Sequence, residues 1–481
     1  MTNIKEFFNL DKDVSIENIM VDSRIKLNNS IFFCIVGLTV DGHDFIDSAI
    51  NNGAKVIIHS KDVENKVNDI TYIKVDDTTK CLNEFANYFY GEPSKKMKMY
   101  GVTGTNGKTT ISYITNDLLN RLNYKSGYIG TLGYEYNNEI HEQYFTTPNI
   151  NDLHSMLKEI NDAGCKACCL EVSSQGLDLH RCDAIDFDVA VYTNLTHEHL
   201  DYHKNIENYF NAKAILFENL KNDAIACINI DDEYGRKMVD RCNCKVVTYA
   251  IDCDADYRAT NLVLNKDNSK FDLVYKNSTY KIETNLVAKF NVLNLLGVIS
   301  SLVETGFKLE DIIPLLKNIK NVPGRCMHIN EGQDFNVIVD FAHTPDGFIK
   351  ILDYVRSITS NDNKIYVVFG MPGNRDKEKR PICGKIADDY GDEIILTTDD
   401  NHFEKAEDIV NEIATGISKH VPQVILQRDL AIEHAIKACK TGDSVVILCK
   451  GNDNFFKDKD QIMPYEGDDK VASRIIKTLK Y

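Results

Sequence analysis

No stretch of this chain reaches the roughly 18 consecutive apolar residues that a membrane-spanning helix requires, which excludes an integral helical membrane protein. The opening MTNIKEFFNLDKD lacks the basic and apolar regions of a secretory signal, so a cytoplasmic protein is expected. Positive charge is in short supply: 55 Lys and Arg against 72 Asp and Glu leave a net −17, the wrong sign for a general nucleic-acid or anionic-membrane binder. Any anionic ligand must therefore be held by a local cluster of cations. Internal repeats and low-complexity segments are absent. A second CxxC is also missing to answer Cys165 and Cys168, and most of the 14 cysteines lie in apolar surroundings such as Ala167-Cys168-Cys169-Leu170. They read as buried free thiols rather than a zinc framework.

With 481 residues there is room for about three domains. To about residue 95, short apolar runs (Ile31 to Val36, Lys55 to His59) alternate with Gly-containing turns and predict a small α/β domain ending near Gly91-Glu92-Pro93. From Met97 the pattern becomes strand, loop, helix: KMKMYGV, then Ile111, Ile114, Leu118 and Leu122 on one helical face. It continues through ACCLEV, VAVYTNL, a helix from Ile206 to Leu220, and AIACIN. After Val322-Pro323-Gly324-Arg325 the alternation restarts with VIVDFA, KIYVVFG, EIILTTD, QVILQ and DSVVILC. Strands alternating with helices predict mainly parallel sheets whose ligands lie beyond the carboxyl ends of the strands. The chemistry is expected between domains, with boundaries at 1–95, 96–325 and 326–481.

GVTGTNGKTT (101–110) departs from a strict GxxxxGK[ST] loop but keeps its physics. Its glycines permit close backbone approach, and the helix that follows presents free N–H groups to an anion. Lys108 would meet the β- and γ-phosphates and Thr109 a Mg²⁺ ion. Near the following strand ends stand Glu171 in EVSSQGL and His197, His199 and His203 in TNLTHEHLDYH. HEHLD is not HExxH, so a Mg²⁺ site fed by carboxylate, threonine and histidine fits better than zinc. On pattern alone His197, Glu198 and His203 read as solvated loop residues, and Lys213 in NYFNAKAILF reads as a surface lysine with a buried stem.

In these motifs the chain resembles the Mur ligases, closely the MurE type, over nearly its whole length. The landmarks are Asp22-Ser23-Arg24, Asp41-Gly42-His43, GTNGKTT at 104–110, Thr146-Thr147-Pro148, EVSS at 171–174, LDYH at 200–203, Ala212-Lys213, Phe290-Asn291, Pro323-Gly324-Arg325, DFAHTPD at 340–346, Arg375-Asp376-Lys377 and Lys379-Arg380-Pro381. The resemblance implies an N-terminal UDP-binding domain, a central ATPase domain and a C-terminal Rossmann-like domain that closes over the site. It also implies addition of the third amino acid to UDP-N-acetylmuramoyl-L-alanyl-D-glutamate through an acyl phosphate, by a monomer that neither enters membranes nor binds nucleic acid. Gly104, Thr105, Asn106, Gly107, Lys108, Thr109, Thr110, Asn291, Arg325, Asp340 and His343 match the family's ATP positions. Ser23, Thr146, Thr147, Ser173 and Arg181 match those for the UDP-muramoyl peptide. Thr109, Glu171 and His199 match the Mg²⁺ ligands, joined by Lys213, which the family converts with CO₂ into an anionic carbamate. Lys108, Lys213, His199 and Glu171 are thus the implied catalytic set.

The amino-acid pocket departs from the resemblance. Members that add meso-diaminopimelate usually carry Asp-Asn-Pro-Arg where this chain has Asp400-Asn401-His402-Phe403, and Phe403 cannot pair a carboxylate. The usual Gly-Lys-Gly-His-Glu appears as Cys449-Lys450-Gly451-Asn452-Asp453; Asp453 can still hold a distal ammonium, and Arg375 is kept for a carboxylate. Gln175, Ala288, Met371-Pro372 and Asn374 also depart. Lysine, ornithine, an unusual amino acid, or diaminopimelate held by another cation all remain open. Two competing readings also stand: a relative with a different acceptor, disfavoured by the DSR and TTP motifs, and a non-catalytic nucleotide-binding protein.

Overall fold

The computed structural model describes residues 1–37 and 40–479. The expected α/β architecture is present as three units, each built on its own sheet. In the first, four parallel strands lie in the order Asn18–Met20, Ser30–Phe33, Ala54–His59, Thr71–Lys74. Helix Thr78–Phe89 covers one face, and its first turn is fixed by the Asp77 carboxylate, which accepts from the N–H groups of Thr79 and Lys80 at 2.8 and 2.9 Å. Phe33, Ile58 and Phe85 close that core.

The central unit has eleven strands, and the phosphate-loop strand Lys98–Thr103 sits near their middle. It is flanked by Ala167–Glu171 on one side and Val189–Tyr192 on the other, both parallel to it. The next strand in the chain, Ser126–Gly130, lies beyond Ala167–Glu171. The chain thus leaves Lys98–Thr103 at a topological switch point, where loops diverge and leave a crevice. Residues alternate between faces: Tyr100 and Val102 pack on helices Lys108–Arg121 and Lys289–Glu304, whereas Met99 faces the helices carrying Leu157 and Phe210. Ile111, Ile114 and Leu118 are fully buried, each contributing about 1.5–3 kcal/mol to holding the phosphate-loop helix on the sheet.

Both margins of this sheet are antiparallel, which the strand–helix alternation did not foretell. Gly133–Tyr136 and Glu139–His141 extend one edge. Tyr257–Leu264, Ser269–Tyr275 and Ser278–Thr284 form a meander on the other. Tight turns make these links, so no crossover helix is needed.

The C-terminal sheet runs Met327–His328, Asn336–Asp340, Ser444–Leu448, Ile365–Phe369, Glu393–Leu396, Gln423–Val424, parallel except for its first strand. Of QVILQ only Gln423–Val424 is strand, both residues exposed at the sheet edge. Here too the chain passes over a neighbour, from Asn336–Asp340 across Ser444–Leu448 to Ile365–Phe369, so the loops after these strands open toward the central unit. Among the described residues no helix is long and apolar enough to cross a membrane, and all 14 cysteines are free thiols.

Candidate active site

The loop 104–107 is locked to the end of the neighbouring strand. Thr105 N–H donates to the Asn194 carbonyl at 2.8 Å and Asn106 N–H to Asn194 Oδ1 at 3.0 Å, while Thr193 Oγ1 donates to the Asn106 carbonyl at 2.6 Å. Gly104 has φ +147°, and a Cβ there would lie 1.8 Å from Thr193 Oγ1, so only glycine fits. Gly107 begins helix Lys108–Arg121 with no side-chain cap, which leaves first-turn N–H groups directed at the crevice.

Thr109 and Glu171 are brought together: Thr109 Oγ1 donates to Glu171 Oε2 at 2.9 Å and accepts from the Arg325 guanidinium at 3.1 Å. The fully buried Glu171 carboxylate also accepts from Tyr128 OH at 2.5 Å, Thr131 N–H at 2.9 Å and Thr131 Oγ1 at 3.2 Å. Tyr128 and Thr131 carry no sequence signal of their own and were missed. Lys108 Nζ donates to the carbonyls of Gly104 and Thr105, both at 2.9 Å.

Lys213 overturns its pattern reading. It is buried, not a surface lysine: its Nζ donates to the same Gly104 carbonyl at 2.9 Å and lies 4.5 Å from the Tyr209 ring centroid. Burial, with Lys108 alongside, holds its ammonium well below the usual lysine range. The helix Ile206–Glu218 turns this face toward the loop, and helical periodicity alone could not say what would cover it.

Glu198 and His203 are likewise buried rather than solvated. Glu198 Oε1 lies 2.7 Å from His343 Nε2 and 3.9 Å from Lys379 Nζ, both from the C-terminal unit, and Oε2 lies 3.9 Å from His199 Nε2. Burial alone would raise this carboxyl, but the surrounding cationic groups hold it well below the usual range. His203 Nε2 lies 3.0 Å from Ser174 Oγ. The half-buried His197 is 3.2 Å from Asp376. His199 adopts a left-handed backbone (φ 55°), and burial lowers its imidazole to about 4. No hydrogen bond links His199 or Lys213 directly to Glu171 among the described residues. Lys108 and Lys213 share the Gly104 carbonyl, while Thr109 pairs with Glu171 and His199 lies by Glu198.

A cavity of about 230 Å³ lies between the central and C-terminal units, lined by Thr110, Asn291, Arg325 and His328 among others. Thr110 follows Thr109 into the helix and is buried. Asn291 is positioned by donating to the Val287 carbonyl at 3.0 Å. Asp340, buried at the end of its strand, accepts from the N–H groups of Cys326 at 2.6 Å and Ala342 at 2.7 Å; burial raises its carboxyl, with Arg325 opposing. His328 lay outside every motif and was missed. Asn106 Nδ2 reaches Asp346 Oδ2 at 2.9 Å, a second tie between the units.

On the other side of Glu171 a connected group forms. Thr147 Oγ1 donates to the Glu171 carbonyl at 2.9 Å and accepts from Ser173 N–H at 2.8 Å. Arg181 donates to the Thr147 carbonyl at 2.8 Å, and Thr146 Oγ1 lies 3.2 Å from Thr131 Oγ1. Ser23 belongs to the first unit, where its carbonyl accepts from Ser48 and Asn52; no bond joins it to the Thr147 group.

The third group sits at the strand ends of the C-terminal sheet. Lys450, buried, lies 2.6 Å from Asp400, 3.7 Å from Asp399 and 3.9 Å from Asp453. Burial pushes the Asp453 carboxyl up to about 6 against the pull of Lys450. Arg375 is exposed and makes no ion pair among the described residues. Asn401 Oδ1 is buried without a hydrogen-bond partner, and Phe403 is 63% exposed. Cys449 is buried at φ 80°, a conformation that favours glycine.

Three family models match the chain: "Mur ligase family, catalytic domain" over residues 15–90, "Mur ligase middle domain" over 102–302 and "Mur ligase, glutamate ligase domain" over 324–451. A UDP-N-acetylmuramoyl-L-alanyl-D-glutamate–2,6-diaminopimelate ligase of Clostridium tetani is 39% identical over 472 residues, 97% of this chain and 96% of that protein. The ligase of the same description from Bacillus cereus is 36% identical over 92% of this chain and 90% of its own length. A solved structure of a 2,6-diaminopimelate ligase of this type superposes with a TM-score of 0.69 at 28% identity, covering 99% of both chains.

Proposed function

Because the chain belongs to the Mur ligase family, we propose that it is an ATP-dependent ligase of the MurE type, joining meso-diaminopimelate to UDP-N-acetylmuramoyl-L-alanyl-D-glutamate in peptidoglycan precursor synthesis. What carries the reading is the end-to-end likeness to diaminopimelate ligases, first unit included, together with a phosphate loop, a buried carboxylate and an acceptor-side threonine group that meet at Glu171.

A carboxylate does not react with an amine until it has a leaving group. The γ-phosphoryl of ATP passes to the D-glutamyl carboxylate, giving an acyl phosphate and ADP. The free amine of the amino acid then attacks the acyl carbon, and collapse of the tetrahedral intermediate expels phosphate and leaves the amide. Such transfer rests on positioning and on cations offsetting the moving charge. Residues 104–110 cradle the phosphates, with Lys108 as the cation. Arg325, Asp340 and Asn291 hold the nucleoside side and His343 the domain contact. Thr146, Thr147, Ser173 and Arg181 orient the muramoyl peptide, with Ser23 on the UDP side. Arg375, Asp400, Asn401, Phe403, Cys449 and Asp453 surround the incoming amino acid.

The donor set fits a divalent cation: a buried carboxylate supplied only with neutral donors and a threonine hydroxyl beside it. Thr109, Glu171, His199 and Lys213 as its carbamate would hold Mg²⁺, which when bound stabilises negative charge on the transferring phosphoryl. Burial, with Lys108 alongside, favours the neutral amine of Lys213, the form whose lone pair adds to CO₂ with loss of a proton. Contacts across the C-terminal unit (Glu198 to His343, Asn106 to Asp346, His197 to Asp376) exclude water that would hydrolyse the acyl phosphate. Residues 1–95 would bind the UDP-muramoyl peptide, 96–325 ATP and 326–481 the amino acid, in a monomeric cytoplasmic enzyme that binds no nucleic acid.

The test is phosphate release from ATP with the UDP-dipeptide and each of meso-diaminopimelate, L-lysine and L-ornithine, with product mass read alongside. Release and the matching mass gain with meso-diaminopimelate support the reading. Silence with every amino acid, in protein shown to bind ATP, would overturn it.

A further inference from the structure

meso-Diaminopimelate carries two carboxylates, and a carboxylate drawn out of water needs a cation to pair with. The cationic side chains around the 400–403 loop are mostly engaged. Lys450 is committed to Asp399, Asp400 and Asp453. Lys377 lies 2.7 Å from Glu404. Burial holds the His402 imidazole below its ordinary value, with Asp400 opposing and Arg375 and Lys457 adding to the effect. Among the described residues, Arg375 and the half-buried Lys457 stand beside His402 with no ion pair, while Lys459 is exposed at the turn of the hairpin Phe455–Asp458 and Gln461–Pro464.

These two free cations stand on different elements. Arg375 is next to Asp376, which touches His197 of the central unit, so it belongs to the end where the acyl phosphate forms. Lys457 is on the first strand of the hairpin, Phe455–Asp458. Its N–H donates to Asp400 Oδ1 at 2.9 Å and its carbonyl accepts from His402 N–H at 3.1 Å, so the strand is fastened to the loop from both sides. Its Nζ lies 5.2 Å from the Phe455 ring centroid, and Lys450 Nζ, at the centre of the Asp399, Asp400 and Asp453 carboxylates, lies 5.2 Å from the same ring. A free ammonium and a carboxylate-ringed one thus both lie against the same aromatic ring. That is the complement of a carbon bearing both an ammonium and a carboxylate.

We propose that Lys457 pairs with the distal carboxylate of the incoming diamino acid while Asp453 receives its distal ammonium, making Lys457 the residue that selects meso-diaminopimelate over L-lysine. The proposal rests on meso-diaminopimelate being the substrate. Phe403, exposed and uncharged, plays no part in that recognition.

The experiment compares kcat/KM for meso-diaminopimelate and for L-lysine, which lacks only the distal carboxylate, in wild type, K457M and K457R. Loss of one charge-assisted hydrogen bond predicts that K457M lowers the preference for meso-diaminopimelate about 10- to 100-fold, through KM, and that K457R restores most of it. An unchanged preference in K457M, or an equal fall with both amino acids, would overturn the assignment while leaving the ligase reading intact. Wild-type enzyme that uses L-lysine and not meso-diaminopimelate would instead remove the substrate premise, and Lys457 with it.

Discussion

Substituting Glu198→Gln and His343→Ala, singly and together, measures what the contact between the central and C-terminal units is worth. The Glu198 side chain is 6% exposed and that of His343 30%, and their polar atoms are 2.7 Å apart. His343 Nδ1 also faces the Phe341 carbonyl at 2.8 Å, so both ring nitrogens meet acceptors. Removing one partner of a fully buried ion pair costs about 3–5 kcal/mol. Here the histidine is nearly a third open and glutamine keeps one hydrogen bond, which reduces the expected coupling to about 2 kcal/mol, or about 30-fold in the closed-state population. The assay is a double-mutant cycle on kcat/KM, with energy transfer between dyes on the two units reporting closure in the presence of ATP. If the two single effects simply add in the double variant, the pair does not hold the units together and the reasoning fails.

Three further outcomes can be checked. His154 is fully buried with neither ring nitrogen hydrogen-bonded, and burial lowers its imidazole to about 4. The unfolded ring titrates near 6.5, so this group's contribution is intact above that pH and about 3 kcal/mol of stability is lost as pH falls toward 4. His154→Leu should therefore stabilise the protein more at pH 5 than at pH 8 in urea unfolding, and an equal effect at both would contradict the assignment. Gly104→Ala would drive a Cβ to 1.8 Å from Thr193 Oγ1, so ATP binding by calorimetry should be lost; near-normal affinity would mean the loop is not held as described. Lys213→Ala should lower kcat by more than about 100-fold and abolish uptake of ¹³C from labelled CO₂ seen by NMR in the wild type; full turnover would rule out the carbamate.

The parts of the fold that were legible in the sequence are those governed by local chemistry. Strand–helix alternation foretold parallel sheets, and Gly104 marked a close backbone approach because only glycine fits against Thr193. What escaped depends on contacts distant in sequence. Glu198 reads as a solvated loop residue until a segment some 145 positions later lays His343 over it. Lys213 is on a helix whose covered face is decided by the phosphate loop, not by its own periodicity. Tyr128 and Thr131 could not be found, since a single tyrosine or threonine near a strand end carries no pattern. The antiparallel margins of the central sheet were missed because their strands are joined by short turns and the alternation has no helix to count. The pocket around Asp400 was located through its departures from the family pattern, but Lys457 is brought to it by a hairpin that no motif marks.

Glu171 faces both halves of the reaction at once: its carboxylate meets Thr109 and its own carbonyl meets Thr147. The donor side and the acceptor side of the proposed reaction are therefore linked through the torsions of a single buried residue, whose carboxylate is held by Thr109, Tyr128 and Thr131. An enzyme arranged in this way can change its amino acid through the strand-end loops around Asp400 while the residue that joins these two sides stays as it is.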